Sequence, residues 1–399
     1  MISKRMKDMV GASSAIRAMF EEGKKLSAIY GKENVYDFSL GNPSVPAPEK
    51  VNKAFKEVLE NTDDITLHGY MNNSGFESVR QSIALNLNKR FDTNFSFKNI
   101  VMTVGAAGGL NVILRAIINP DDEVILIAPF FGEYLNYVAN AYGKSVIVPA
   151  NPPTFQPDLD TLERAISKKT KAVIFNSPNN PTGVVYDENT LKKMGEILKK
   201  KSKENNQAIY LIADEPYREL VYDNVEVPYA TKYYENTIVG YSYSKSLSLP
   251  GERIGYLVIP DEAEDFENLI SACNVATRIL GFVNAPSLQQ LAIEKCLDTT
   301  TDISVYDKNR ELLYSKLTEY GFECTKPQGA FYLFVKCPID EKQFVEKAKE
   351  HRLLLVGGKS FACEGYVRLA YCVSYDTIVK SLPEFEKLAI ETIKGKSNK

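Results

Sequence analysis

The chain has 399 residues, 44% hydrophobic and 25% charged, an ordinary globular composition with apolar mass for more than one domain. A formal net charge of -3 argues against nucleic acid, which needs clustered Lys and Arg, and two histidines with six cysteines lacking Cys-x-x-Cys spacing argue against a metal site or a Ser-His-Asp set. The cysteines read as small core residues of a reducing compartment, and with no signal-peptide core and no run of the ~18 apolar residues a membrane span needs, the expectation is a cytoplasmic protein.

An amphipathic stretch at 15–30 comes first, followed by Ser39-Leu40-Gly41-Asn42-Pro43, a turn signal, and His68-Gly69-Tyr70 ahead of Gly75 and Arg80. Short apolar runs then recur at 100–104, 124–128, 145–149, 172–175, 209–213, 238–241 and 255–259. Most are separated by amphipathic helical stretches, the rhythm of a mainly parallel sheet covered on both faces. One such stretch sets Lys192, Lys193 and the 199–203 cluster against Leu191, Met194 and Leu198, a solvated helix face. The run at 255–259 follows its predecessor too closely for a helix, so antiparallel pairing is expected. From about Leu291 the pattern becomes helix 304–320, strand 330–335, helix 341–351, strands 353–356 and 366–372, and helix 375–393, a separate α+β layer. Within it, Gly357-Gly358-Lys359-Ser360 ends like a phosphate-binding P-loop, but Leu353 stands where that motif needs glycine. The polar 394–399 stretch reads as a solvated tail.

Chemistry-bearing residues gather where the runs end. Tyr243-Ser244-Lys245-Ser246 places a lysine among hydroxyls, with Arg253 eight positions on. An amine whose pKa is lowered by desolvation or a cationic neighbour becomes a nucleophile that condenses with carbonyls, although a solvated lysine in a Ser-rich loop has the same pattern. Asp214-Glu215-Pro216-Tyr217 follows the 209–213 run, so a buried strand would deliver a carboxylate at the edge where open α/β sheets bind ligands. A helix N-cap uses the same residue type. Asn176-Ser177-Pro178-Asn179-Asn180-Pro181-Thr182-Gly183 is a turn signal after the 172–175 run. Gly105-Ala106-Ala107-Gly108-Gly109 reads as a small-residue turn opening a helix, whose backbone N–H groups can hold a phosphate. Pro129-Phe130-Phe131 ends another run, and Arg368 is the lone charge in 366–372. A buried guanidinium needs a partner, either a ligand carboxylate gripped by two parallel donors or a structural salt bridge.

In this order the motifs resemble those of the fold-type I pyridoxal phosphate aminotransferases of classes I and II, and the resemblance runs from Gly41 to Arg368. It implies an α/β large domain at 46–290, with a mainly parallel seven-stranded sheet covered by helices and one strand antiparallel. A smaller α+β domain at 291–399 and an N-terminal segment, 1–45, joining it complete the chain. The resemblance further implies that Lys245 holds pyridoxal phosphate as a Schiff base and moves the catalytic proton. Asp214 would pair with the pyridine nitrogen, Tyr217 and Asn180 would bond the ring's phenolic oxygen, and Phe131 would stack on the ring. The phosphate would rest on Gly105, Ala106, Ala107, Ser242, Ser244 and Arg253, and on Tyr70 from the other subunit of a homodimer with shared active sites. Arg368 would grip the substrate α-carboxylate, with Asn180 beside it and Gly41 letting the backbone come close.

The partners so implied are small-molecule amino acids and 2-oxo acids, exchanging an amino group in a ping-pong cycle. Aspartate or aromatic, broad specificity is the expected range. Dicarboxylate-specific members often carry lysine where this chain has Ala107, whereas Arg278 lies near the place of a side-chain-binding arginine in another branch, one residue off in spacing. An exposed helix-end arginine fits Arg278 equally well. The alternative is a lyase with the same cofactor residues, such as a carbon–sulfur β-lyase or a cyclopropane-forming synthase. A non-enzymatic cofactor-binding regulator is discounted, because the residues before Gly41 are too few for a helix-turn-helix.

Overall fold

The structure, a computed structural model, describes residues 1–11, 15–393 and 395. The expected tail at 394–399 therefore lies, apart from Gly395, outside the described residues. Seven strands form the large sheet: β1 Ile100–Thr103, β2 Glu123–Ile127, β3 Lys144–Val148, β4 Thr170–Asn176, β5 Tyr210–Asp214, β6 Thr237–Ser242 and β7 Gly255–Val258. Their spatial order is β1-β7-β6-β5-β4-β2-β3. β7 runs antiparallel to both neighbours and the other pairs are parallel. The expected architecture and its one reversed strand are both present.

The apolar runs become strands because each buries alternate side chains in a different core. Val173, Leu211 and Val239 face one cluster, while Ile174, Ile212 and Ile238 face the other. A strand buried on both faces needs no polar alternation, and β5 and β6 are buried at every position. Each fully buried Leu or Ile contributes about 1.5–3 kcal/mol. At the sheet edge, β3 keeps Lys144 and Ile147 exposed. Helix Glu188–Asn205 shows how the covering layer forms: Asp187 accepts from the Thr190 N–H as N-cap, and Leu191, Met194 and Leu198 are buried against the sheet. Its lysines face outward, pairing with Glu188 and Glu163.

The second layer is a three-stranded antiparallel sheet of β8 Tyr332–Lys336, β9 Val356–Gly357 and β10 Tyr366–Ala370, with β10 central. Helices Ser304–Tyr320 and Tyr375–Thr392 pack on it through Leu313, Leu317, Phe385 and Leu388. Tyr36, Phe38 and Val45 enter the same cluster, and Tyr36–Asp37 pairs with Leu353–Leu354. Ala292, Ile293 and Cys296 instead pack with the large-sheet core. All six cysteines are unpaired, and among the described residues no helix is long and apolar enough to cross a membrane.

Candidate active site

A cavity of about 300 Å³ opens at the C-terminal ends of β4, β5 and β6 and is closed from the other side by β8 and β10. Its floor is Asp214, the last residue of β5. Asn176, ending β4, donates its amide to the Asp214 carbonyl at 2.7 Å and accepts from the Asn180 N–H at 2.6 Å, which locks the 176–183 loop to the strand ends. The Asp214 Oδ2 accepts from the Tyr134 hydroxyl, while Oδ1 is buried with no partner. Burial pushes the Asp214 carboxyl up to about 7; the Tyr134 hydrogen bond pulls it down and the Glu215 charge adds to the rise.

Lys245 sits on the short helix Tyr243–Ser246, capped by Ser242. Its Nζ donates to the Gly41 carbonyl at 2.8 Å and lies 5.3 Å from the Phe331 ring. Burial lowers its pKa to about 8; Arg253 and Arg368 act in the same direction and Cys372 opposes them. The amine is therefore partly neutral, as a nucleophile requires. Beside it the Ser242 and Ser244 hydroxyls are 2.7 Å apart. Arg253 donates to the Pro250 and Val104 carbonyls at 2.8 and 3.2 Å, which lays it across the start of helix Gly105–Ile117. Gly105, with φ of 79°, is required there: a Cβ would stand 2.7 Å from Arg253 Nη2. Ala106 and Ala107 line the cavity in the helix's first turn, where N–H groups have no intrahelical acceptor.

Arg368 closes the opposite end. Fully buried on β10, it donates to Asn180 Oδ1 at 3.0 Å and to the Ser39 carbonyl, and its Nε has no partner. Its guanidinium lies over the rings of Tyr332 and Phe361, 4.6 and 4.8 Å from their centroids. Among the described residues no carboxylate forms an ion pair with it, so burial lowers its pKa. The salt-bridge alternative thus has no partner here. Phe131 lines the cavity edge-on to Tyr134, and Tyr217 meets Tyr332 through hydroxyls 2.9 Å apart. Gly41 has no room for a side chain, because a Cβ would collide with the Tyr332 hydroxyl.

Two expected residues lie elsewhere. Tyr70 is 91% exposed, and Arg278 is exposed at the end of helix Phe266–Ile279; neither lines the chain's own cavity. Their segments are tied together by Asn73 donating to the Val283 carbonyl and Ser74 to Asn274, both at 2.6 Å. Tyr134, Tyr137, Tyr332 and Phe361 carry parts of the site that no motif marked. Tyr134 and Tyr137, three apart on helix Glu133–Asn140, share a face toward the cavity. That spacing was their only signal.

The Gly-Gly-Lys-Ser turn is not a phosphate site. The Glu341 carboxylate already occupies it, accepting from Lys359 N–H at 3.1 and 3.3 Å and from Gly365 N–H at 2.8 Å. A second cavity, of about 250 Å³ behind the lysine-bearing helix, contains the Arg90–Glu219 pair and Tyr241. Its lining has no lysine, cysteine or histidine.

The chain matches the family described as aminotransferase class I and II over residues 33–381. It resembles a crystal structure of an amino transferase from Eubacterium rectale with a TM-score of 0.96 and 50% identity, covering 98% of this chain and 99% of that one. It is 29% identical to an aspartate aminotransferase of Thermotoga maritima over 97% of this chain and 98% of that protein. It is 28% identical to aromatic-amino-acid aminotransferase 2 of Thermococcus litoralis over 95% of this chain and 96% of that protein. The chain belongs to the class I and II aminotransferases, enzymes that use pyridoxal phosphate.

Proposed function

We propose that this aminotransferase moves an amino group between an L-amino acid and a 2-oxo acid in a ping-pong cycle, as a cytoplasmic homodimer, with aspartate or an aromatic amino acid among its donors. One observation carries the residue assignments: two buried atoms without partners, Asp214 Oδ1 and Arg368 Nε, belong to residues lining one cavity. A protonated ring nitrogen suits the first and a carboxylate the second. The cofactor fits this donor set. When bound, pyridoxal phosphate supplies an electron sink that makes the α-proton of an attached amino acid acidic.

The chain's own groups do the rest. Asp214 holds the ring-nitrogen proton, and Tyr134 helps keep it ionised against the burial that would neutralise it. Lys245 would hold the cofactor covalently, and its amine, when free, would carry the proton from the substrate α-carbon. The Gly41 carbonyl keeps that amine facing the cavity. Ser242, Ser244, Arg253 and the N–H groups of Gly105, Ala106 and Ala107 hold the phosphate. Tyr217, Asn180 and Phe131 line the same cavity, where the first two would bond the ring oxygen and Phe131 would pack on the ring. Arg368, fixed by Asn180 and Ser39, orients the substrate carboxylate, and the surrounding aromatic rings keep water out.

Tyr70 and Arg278 project from neighbouring segments, which suits service to a partner subunit's cavity: Tyr70 for the phosphate, Arg278 for the distal carboxylate of a dicarboxylic donor. We divide the chain into a segment at 1–45, a large domain at 46–290 and a small domain at 291–399. The first residues of the small domain lean on the large-sheet core through Ala292, Ile293 and Cys296. A panel of amino donors against 2-oxoglutarate tests the function. Glutamate should form in step with the donor's oxo acid. Pyruvate and ammonia without glutamate would instead indicate the lyase reaction and overturn the proposal.

A further inference from the structure

Tyr332 opens β8 inside an apolar run, and by pattern alone it is a core residue, 2% exposed. Its contacts are more specific than that. One ring face meets the Arg368 guanidinium, its hydroxyl lies 2.9 Å from that of Tyr217, and the same hydroxyl stands against Gly41, whose carbonyl accepts from Lys245. Tyr332 and Arg368 lie on paired strands of the small sheet, whereas Tyr217 follows β5 and Lys245 follows β6 of the large one. One side chain therefore touches groups from both layers at the point where they meet over the cavity.

We propose that Tyr332 is a positioning residue that couples the carboxylate anchor Arg368 to the hydroxyl of Tyr217. This rests on the roles proposed above for Arg368, Tyr217 and the cofactor. A phenol carries a single hydrogen, so if Tyr217 points its own at a ligand oxygen, the 2.9 Å contact must be donated by Tyr332. A hydroxyl that accepts a hydrogen bond is polarised into a stronger donor. The ring meanwhile holds a cation that has no carboxylate neighbour among the described residues, and a guanidinium over an aromatic face is attracted by the ring quadrupole. Phe361 adds a second ring 4.8 Å from the guanidinium, and with the hydrogen bonds to Asn180 and Ser39 these contacts hold the fork without a counter-ion.

The test uses the cofactor-loaded protein and two variants. Tyr332→Phe keeps the ring and removes the hydroxyl; Tyr332→Leu removes both. Succinate and 3-phenylpropanoate, carboxylates with no amino group to transfer, are titrated calorimetrically, and the pH midpoint of the cofactor's visible absorbance is recorded. Tyr332→Phe should bind both carboxylates as the unaltered protein does, yet move the midpoint up, because a weaker Tyr217 donor leaves negative charge on the ring oxygen less stabilised. Tyr332→Leu should move the midpoint and also weaken whichever carboxylate the unaltered protein binds, by about two- to thirtyfold, the range of cation–ring contacts from exposed to desolvated. Adding Tyr332→Phe to Tyr217→Phe should shift the midpoint no further than Tyr217→Phe alone. An unmoved midpoint in Tyr332→Phe, or additive shifts in the double variant, would overturn the coupling, and the near-isosteric Phe variant decides this even if the Leu variant fails to fold. Unaltered protein that takes up no pyridoxal phosphate would overturn the functional reading itself, whereas loaded protein with indifferent variants overturns the role of Tyr332 alone.

Discussion

Replacing Arg368 with methionine separates its service to a substrate from its service to the fold. The guanidinium gains two hydrogen bonds, to Asn180 and Ser39, and two ring contacts. Against these stands the cost of a buried charge without a counter-ion, several kcal/mol after relaxation. The terms nearly cancel, so Arg368→Met should change folding stability by no more than about 2 kcal/mol. For a substrate carboxylate nothing cancels. Losing the partner of a buried charge pair costs about 2–5 kcal/mol, which is about 30- to 5,000-fold in kcat/KM. Denaturant unfolding with and without an unreactive carboxylate gives an independent reading. At a hundred times its Kd such a ligand stabilises the unaltered protein by about 2.7 kcal/mol, and a hundredfold weaker Kd reduces this to about 0.4 kcal/mol. A variant that keeps the full ligand stabilisation, or whose activity falls only as its folded fraction falls, would show that Arg368 does not anchor the carboxylate.

Asp214→Asn should stabilise the cofactor-free protein, and more so at high pH. The folded pKa of about 7 lies above the unfolded value of 3.8, so the native state holds the proton more tightly and the cost of ionisation grows as pH rises between them. Linkage makes the gain about 2–3 kcal/mol larger at pH 8 than at pH 5, measured by urea unfolding, and an equal gain at both would contradict the burial argument. In the loaded enzyme the same variant should bind cofactor and lose turnover by several orders of magnitude, since an amide cannot hold the ring proton by charge. Tyr70 acting across a dimer predicts complementation: mixing inactive Lys245→Ala and Tyr70→Ala subunits should restore activity, because each mixed dimer contains one site with neither defect. No recovery, with subunit exchange confirmed by a tag, would assign Tyr70 to its own subunit.

Much of this architecture is legible in the chain, because parallel strands buried on both faces must be written as continuous apolar runs. The residues that close each run, Asp214, Asn176 and Ser242, stand at the sheet edge where the cavity forms. Arg368 was legible for the opposite reason, as one charge in a stretch with no other. Tyr134 was not, since its partner Asp214 lies 80 residues away and only folding brings helix Glu133–Asn140 beneath the strand end. Tyr332 and Phe361 were hidden as ordinary aromatics of a core. The Gly-Gly-Lys-Ser turn misleads in the other direction, because its anion is the chain's own Glu341. Tyr70 and Arg278 are exposed and do not line their own cavity, so their proposed work depends on a second subunit.

We propose above all that pyridoxal phosphate binds covalently to Lys245 in the cavity between Asp214 and Arg368. Reducing the loaded protein with borohydride and mapping its peptides by mass tests it most directly. One adduct is expected, on the peptide containing Lys245, and none in Lys245→Ala, which should still bind the cofactor reversibly through Arg253, Ser242 and Ser244. An adduct on another lysine, or one that survives in Lys245→Ala, would contradict it.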